Sequence, residues 1–331
     1  MIRIFEPFET KKRCVAIGNF DGVHLGHQTL LKAAAFKAQA EGLTSTAVTF
    51  EPHPKEFFRP WTQALARVNN ALDKFLDIEA CGIDELATFK FDIDFSKLSP
   101  EAFVEDYLVN KLHAEHVFVG DDFHFGAKGV ANAQALAELG ARFGFQVHVA
   151  PTCIVGDDRA SSTRLRQALQ AGDMDAARDL LGVRYHITGE IVHGAELGRT
   201  IGFPTINMDA LPVNADGFPV LEGVYAVFVH GLAEEPLRGV ASITTRPTVT
   251  EAKKYLLETH IFEYTKDCYG AFARIEFVRK IRNADKFDDL SALTRAITND
   301  ALTAKQMLED PSTTPSITRF TLSKDALKTI F

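Results

Sequence analysis

Val15-Ala16-Ile17-Gly18-Asn19-Phe20-Asp21-Gly22-Val23-His24-Leu25-Gly26-His27 joins a short apolar run to a helical pattern that extends from about Gln28 to Glu41. An apolar β-type run, a glycine-rich turn and a helix, in that order, predict the first βα unit of a doubly wound sheet. Glycines let the backbone approach an anion, and the unpaired N–H groups and positive dipole end of a helix attract it. His24 and His27, three apart at that end, project to one side and can donate hydrogen bonds to phosphoryl oxygens. The stretch therefore predicts a phosphate site. Asp21, His24 and His27 are also possible zinc ligands, but no nearby Cys/His cluster completes a set of four.

Outward from this turn, the chain of 331 residues, 46% of them hydrophobic, is long enough for two domains with separate cores. Nothing approaches the roughly eighteen consecutive apolar residues of a membrane span, and Met1-Ile2-Arg3-Ile4-Phe5-Glu6 lacks a signal-peptide apolar region. The protein is expected to be cytoplasmic. Cys14, Cys81, Cys153 and Cys268 lie far apart with no C-x-x-C pair, so reduced core cysteines are expected. A formal charge of −8 argues against a general nucleic-acid binder. It leaves room for anionic small substrates held by local arginines such as Arg164, Arg166, Arg199 and Arg246. Twenty-six Phe stand against one Trp, and most of those rings are expected in cores, with a few free to stack on a planar ligand.

Up to about residue 182, apolar runs alternate with helical ones, predicting parallel strands and crossover helices. The strands are predicted at Cys14–Gly18, Ser45–Phe50, Glu85–Phe89, His116–Gly120 and Gln146–Ala150. Helices are predicted near Gln28–Glu41, Asn69–Cys81, Pro100–Lys111 and Asn132–Phe143. Such sheets bind ligands at the carboxyl ends of their strands. Gly18-Asn19, Phe50-Glu51-Pro52-His53-Pro54 and Gly120-Asp121-Asp122-Phe123-His124-Phe125-Gly126 each follow a strand directly. From Tyr185 the pattern changes to short β-rich segments, Tyr185–Val192, Val224–Val229, Gly239–Ile243, Leu256–Phe262 and Phe272–Val278, separated by Gly and Pro turns. These predict a small antiparallel barrel. A helix fits Leu290–Leu308, and Asp310-Pro311 ends it.

Two constellations carry chemistry. Ser161-Ser162-Thr163-Arg164-Leu165-Arg166 is a basic, hydroxyl-rich loop that by itself reads as a helix cap. Paired with His24-x-Gly26-His27 it suits attack on an α-phosphate with departure of pyrophosphate, which needs positioned donors around a charged transition state. The two motifs together resemble the nucleotidyltransferase superfamily. In the second half, Gly194-Ala195-Glu196-Leu197-Gly198-Arg199-Thr200-Ile201-Gly202-Phe203-Pro204-Thr205-Ile206-Asn207 forms a loop able to meet phosphate, with Thr205 and Asn207 as neutral oxygens suited to Mg²⁺. The same stretch also reads as two β-turns ending in a strand. Glu258, in Leu257-Glu258-Thr259-His260-Ile261-Phe262, is a general base if it faces a cleft and a solvent-facing strand residue otherwise.

The combination resembles the bacterial bifunctional riboflavin kinase and FAD synthetase family to about residue 308. Besides the motifs above, Gly223-Val224-Tyr225, Arg246-Pro247-Thr248 and Glu258-Thr259-His260 carry the likeness. The resemblance implies a Rossmann-like nucleotidyltransferase α/β domain over 1–182 and a riboflavin kinase β-barrel with a C-terminal helix over 183–310. Residues 311–331 form a tail without an assigned role. It implies that ATP phosphorylates riboflavin to FMN in the barrel and that a second ATP adenylylates FMN to FAD in the first domain. Small molecules, and neither nucleic acid nor membrane, are the implied partners. His24 and His27 would stabilise the α-phosphoryl transition state, with Gly18, Asn19, Phe20, Asp21, Gly22, Ser162, Thr163 and Arg166 around ATP. FMN would lie near Pro54, Phe58, Asp122 and Phe125. In the barrel, Gly198, Arg199, Gly202, Pro204, Thr205 and Asn207 would take ATP, Thr205 and Asn207 would coordinate Mg²⁺, and Glu258 would be the base. Two departures stand out. Ile206 replaces the family's usual Ala, and Ser242-Ile243-Thr244 replaces Asn-x-Gly, which puts a side chain in a loop expected near the flavin. Two rival readings remain from the sequence: an adenylyltransferase with an inactive, flavin-binding barrel, and a non-enzymatic flavin sensor or store.

Overall fold

The computed structural model describes residues 1–4, 8–58, 66–194, 198, 201–213, 218–246, 254–317, 320 and 322. The chain forms two compact units, one from Met1–Leu65 and Lys74–Ser161, the other from Ala66–Asp73 and Ser162–Leu327.

In the first unit, β1 (Ile2–Ile4), β2 (Arg13–Ile17), β3 (Thr44–Glu51), β4 (Glu85–Lys90), β5 (Ala114–Gly120) and β8 (Gln146–Ala150) form one sheet among the described residues. Its order is β1-β4-β3-β2-β5-β8, and every pairing is parallel. Five of these strands lie where the alternation places them, and the edge strand β1 is an addition. All of β2 is buried, as expected of a central strand covered on both faces. Arg13, at its start, is almost fully buried and its Nε donates to Glu85 Oε2 at 2.9 Å. From β2 the chain moves through β3 to β4 on one side, whereas β5 and β8 lie on the other. The switch point thus falls between β2 and β5, the crevice where doubly wound sheets take ligands.

Helix α1 (Leu25–Glu41) starts three residues earlier than its apolar pattern suggests, because His24 acts as its N-cap. Its buried stripe is Leu30, Leu31, Ala34 and Ala38. The helix predicted from Pro100 opens as Pro100–Ala102 behind the Ser99 cap and continues as a π-helix over Phe103–Lys111. Phe103, Val104 and Leu108 from this helix meet Val15, Ile17, Val117 and Val119 from the sheet in one core. Cys14 and Cys81 are buried free thiols as expected, but Cys153 and Cys268 are partly exposed.

In the second unit, β11 (His186–Val192), β12 (Ile206–Met208), β13 (Gly223–His230), β14 (Leu237–Arg246), β15 (Lys254–Ile261) and β16 (Phe272–Arg282) close into a barrel in the order β11-β12-β15-β14-β13-β16. Alternation sorts the side chains. Tyr225, Val227, Ile243, Leu257, Ile275 and Phe277 are fully buried and lie on the inward positions. Val224, Ala226, Phe228 and Val240 occupy the outward ones and pack under Ala301, Ala304 and Leu308 of the C-terminal helix, Leu290–Glu309. Thr244 belongs to β14, opposite Leu256, and has no positive φ. The residue expected in a loop is thus in a strand: pairing with β15 keeps this position extended, which suits a β-branched residue in place of the family's glycine. Ile206 is buried opposite Thr259, on the strand face away from Asn207.

Compactness groups Ala66–Asp73 and the helix pair Ser162–Ala171 and Met174–Leu181 with the barrel. Asn70 Nδ2 donates to Thr188 O at 3.0 Å and Ala210 O at 2.9 Å, the Thr188 amide donates to buried Asp73 at 3.0 Å, and Tyr185 Oη donates to Val68 O at 2.6 Å.

Candidate active sites

The first site starts where β2 ends. Phe20, Gly22 and Val23 take positive φ values of 47°, 89° and 35°. Such conformations cost about 1–3 kcal/mol each in a non-glycine residue and cluster at functional loops. Phe20 and Asp21 are buried beneath this turn, and Thr49 of β3 donates its hydroxyl to Asn19 O at 3.2 Å. Asn19 Oδ1 is buried and has no hydrogen-bond partner among the described residues. His24 Nδ1 accepts the His27 amide at 3.4 Å, and the two imidazoles stack with centroids 3.8 Å apart and planes 21° from parallel. Phe20 meets His27 edge-on at 5.4 Å. Gly26 makes this stack possible, since a Cβ there would lie 3.1 Å from His24 Cε1. The reason for a glycine between the two histidines is thus steric.

Across the switch point, the loop after β5 turns into the short pair β6 (His124–Phe125) and β7 (Ala131–Asn132). Asp121 accepts the Thr152 hydroxyl, and Arg159 Nη2 holds Asp122 Oδ2 at 2.9 Å. Arg159 comes from a hairpin of β9 (Ile154–Val155) and β10 (Asp158–Arg159) that left no signal in the sequence. Pro54 opens a one-turn helix capped by His53, whose Nδ1 accepts the Lys55 amide at 3.0 Å. Phe58 is 63% exposed and touches Phe57 and Phe91 edge-on, whereas Phe125 is 7% exposed, in the core against Phe103 and Phe123. Phe58 is therefore accessible to solvent, whereas Phe125 is a core residue beneath the loop. Ser162, Thr163 and Arg166 belong to the second unit, on the helix Ser162–Ala171, where buried Arg166 donates Nε to Ala66 O at 2.8 Å.

The second site lies on the outward face of the barrel. Asn207 of β12 pairs directly with Glu258 of β15, which pairs with Ser242 of β14, which pairs with Val224 of β13. Neighbours in one row share a face, so Asn207 and Glu258 stand side by side. Asn207 is 4% exposed, and its Oδ1 has no hydrogen-bond partner among the described residues. Gly194 backs onto it: a Cβ at that position would lie 2.2 Å from Asn207 Nδ2. Thr205 precedes β12, and Gly202 takes a φ of 84° in the turn before it. Arg199, Pro247 and Thr248, and the side chain of Arg246, lie outside the described residues.

Among the described residues no group of three or more His, Cys, Asp or Glu could hold a metal, so the zinc alternative at Asp21, His24 and His27 finds no support. No helix among them is long and apolar enough to cross a membrane.

A protein-family model described as FAD synthetase matches residues 7–164, and one described as riboflavin kinase matches residues 181–308. A bifunctional riboflavin kinase/FMN adenylyltransferase of Escherichia coli K12 is 41% identical over 294 residues, covering 88% of this chain and 92% of that protein. Proteins of the same description from Haemophilus influenzae and Listeria monocytogenes are 40% and 35% identical, covering 92% and 90% of their own lengths and 88% and 87% of this chain. A solved structure described as a macrolide-efflux protein from Streptococcus pneumoniae is similar at TM-score 0.76 and 28% identity, covering 92% of this chain and 99% of that one.

Proposed function

Because the chain belongs to the bifunctional riboflavin kinase/FMN adenylyltransferase family, we propose a residue-level account of its two transfers. The protein is a transferase that phosphorylates riboflavin to FMN and adenylylates FMN to FAD. We assign adenylylation to residues 1–182 and phosphorylation to 183–310.

In the kinase half, Glu258 accepts the proton of the riboflavin 5′-hydroxyl as that oxygen attacks the γ-phosphorus of ATP, whose bond to the bridging β,γ-oxygen breaks to release ADP. Thr205 and Asn207 would hold Mg²⁺, and the donor set fits: a buried carboxamide oxygen with no partner among the described residues, beside a threonine oxygen, suits a hard cation. When bound, Mg²⁺ neutralises charge on the transferring phosphoryl group. Gly198, Arg199, Gly202 and Pro204 shape the ATP loop.

In the adenylylation half, His24 and His27 donate to the α-phosphoryl oxygens while an FMN phosphate oxygen attacks and pyrophosphate leaves. Gly18 to Gly22 receive the nucleotide, with the buried Asn19 oxygen as an acceptor for it. Ser162, Thr163 and Arg166 take the outgoing phosphates, supported by their hydroxyl and guanidinium chemistry and, for Ser162 and Thr163, by the family match through residue 164. FMN stacks on exposed Phe58 beside Pro54, with Asp122 and, beneath it, Phe125 bounding the site. Use of ATP and free cysteines fit a cytoplasmic setting.

What carries this reading is the Asn207–Glu258 pair, a metal-type oxygen and a base in one cross-strand row. Incubation with riboflavin, ATP and Mg²⁺ is expected to yield FMN and then FAD. FAD from supplied FMN with no FMN from riboflavin would overturn the kinase half; flavin binding without ATP turnover would overturn both.

A further inference from the structure

His260 stands two residues beyond Glu258 on β15, hence on the same outward face. Its Nδ1 lies 2.8 Å from Pro204 O. A carbonyl only accepts, so Nδ1 carries the proton and donates. The imidazole also meets Phe203 edge-on at 5.3 Å and Phe262 at 5.8 Å, and both phenylalanines pack against the apolar cluster under the C-terminal helix. Further back in the same loop, the Phe203 amide donates to Gly198 O at 2.8 Å and the Ile201 amide to the same oxygen at 3.2 Å. One imidazole thus pins the segment between that closed turn and β12, immediately before Thr205.

We propose that His260 is a positioning residue for phosphoryl transfer: it fixes the height of Pro204, and so the place of Thr205 and Asn207 relative to Glu258. The inference rests on the kinase-site reading above. Two ligand oxygens, one on a short strand and one just before it, need an anchor on the side where the ladder ends, because β12 has only three residues and pairs with β15 only from Ile206 onward. Pro204 has a fixed φ and no amide proton, so its carbonyl is the group of this residue available to a hydrogen-bonding anchor. His260 supplies that anchor from the strand that carries the base. A misplacement of these oxygens weakens Mg·ATP before it affects proton abstraction, since Glu258 is held by its own ladder.

The test uses the full chain with His260→Asn and His260→Gln. The carboxamide of Asn puts its N–H near the Nδ1 position, whereas that of Gln reaches toward the Nε2 position. FMN formation is measured against Mg·ATP at saturating riboflavin, and FAD formation from supplied FMN in the same preparations. For H260Q the KM for Mg·ATP is expected to rise about tenfold, the weight of one positioning hydrogen bond, with kcat changed far less. H260N is expected to recover most of that loss, and FAD formation to be unchanged in both. Equal kinetics for the two variants, whether both normal or both impaired, would overturn the proposal. Glu258→Gln separates it from the reading beneath: FMN formation that survives E258Q refutes the kinase-site reading, whereas loss in E258Q with H260Q and H260N alike refutes only the role of His260.

Discussion

At the residue scale, the proposed assignment gives the two chemistries different side chains, so their mutants should separate. Glu258→Gln keeps shape but removes the proposed base, so FMN formation should fall by about 100-fold or more while FMN adenylylation stays intact. His27→Ala should do the reverse; an equal loss of both activities in either variant, assayed side by side, contradicts separate sites. Gly26→Ala tests the imidazole stack. Its new Cβ would sit 3.1 Å from His24 Cε1, tighter than a comfortable contact, so adenylylation should drop with phosphorylation spared. The pair of histidines was legible from spacing alone, because one helical turn dictates which residues share a side. The stack itself was not, since it depends on Phe20 entering the left-handed region and filling the space beneath His27. Arg159 escaped notice for a similar reason: nothing in its local pattern announces that a hairpin will carry it to Asp122.

At the element scale, strands were easier to read than their edges. The five strands anticipated in the barrel are all present, yet β14 runs to Arg246 and absorbs Thr244, because hydrogen bonding to β15 outweighs the loop signal of the motif. The tail after Pro311 also acquires a role at this scale. Ser316 donates its amide to Glu276 Oε1 at 2.8 Å, and Arg184 donates to Ser316 Oγ at 2.9 Å and to Thr314 O at 3.3 Å. Glu276 is buried in β16 and also pairs with His230 at 2.8 Å. A buried carboxylate needs these donors. Ser316→Pro, which removes the amide proton, should therefore lower the unfolding free energy by about 1–3 kcal/mol in a thermal or denaturant melt.

The pair β5 and β8 in the first unit makes a pH-dependent element. His148 Nε2 and His116 Nδ1 lie 3.0 Å apart, and His116 Nε2 lies 2.8 Å from Glu41, which also pairs with Lys37. Burial, and then the neighbouring His116, hold the His148 pKa below its ordinary value of 6.5. Below that pH the unfolded chain takes up a proton that the folded chain resists, so stability should fall as pH drops through about 6.5. His148→Phe should flatten this contribution in melts recorded between pH 7.5 and 5.5. A slope identical to that of the unsubstituted protein would show that His148 is not its source.

At the scale of the whole molecule, one chain holds both steps, and their common compound, FMN, is diffusible. Mixing E258Q with H27A should therefore restore conversion of riboflavin to FAD that neither variant completes alone. Failure of the mixture, with each variant retaining its own activity, would mean that FMN does not pass through solution.

The α/β unit followed by a barrel was legible in the sequence because it resides in local periodicity, which helices and strands convert directly into geometry; the family and both activities were legible through the resemblance that several motifs in order carry. Tertiary structure alone decided which residues share a row or a cavity. It set Asn207 beside Glu258, brought Ala66–Asp73 onto the barrel unit, and set the tail against Glu276. The reason is physical: register between strands distant in sequence is chosen by burial and backbone hydrogen bonding summed over the whole barrel, and no single segment contains that sum.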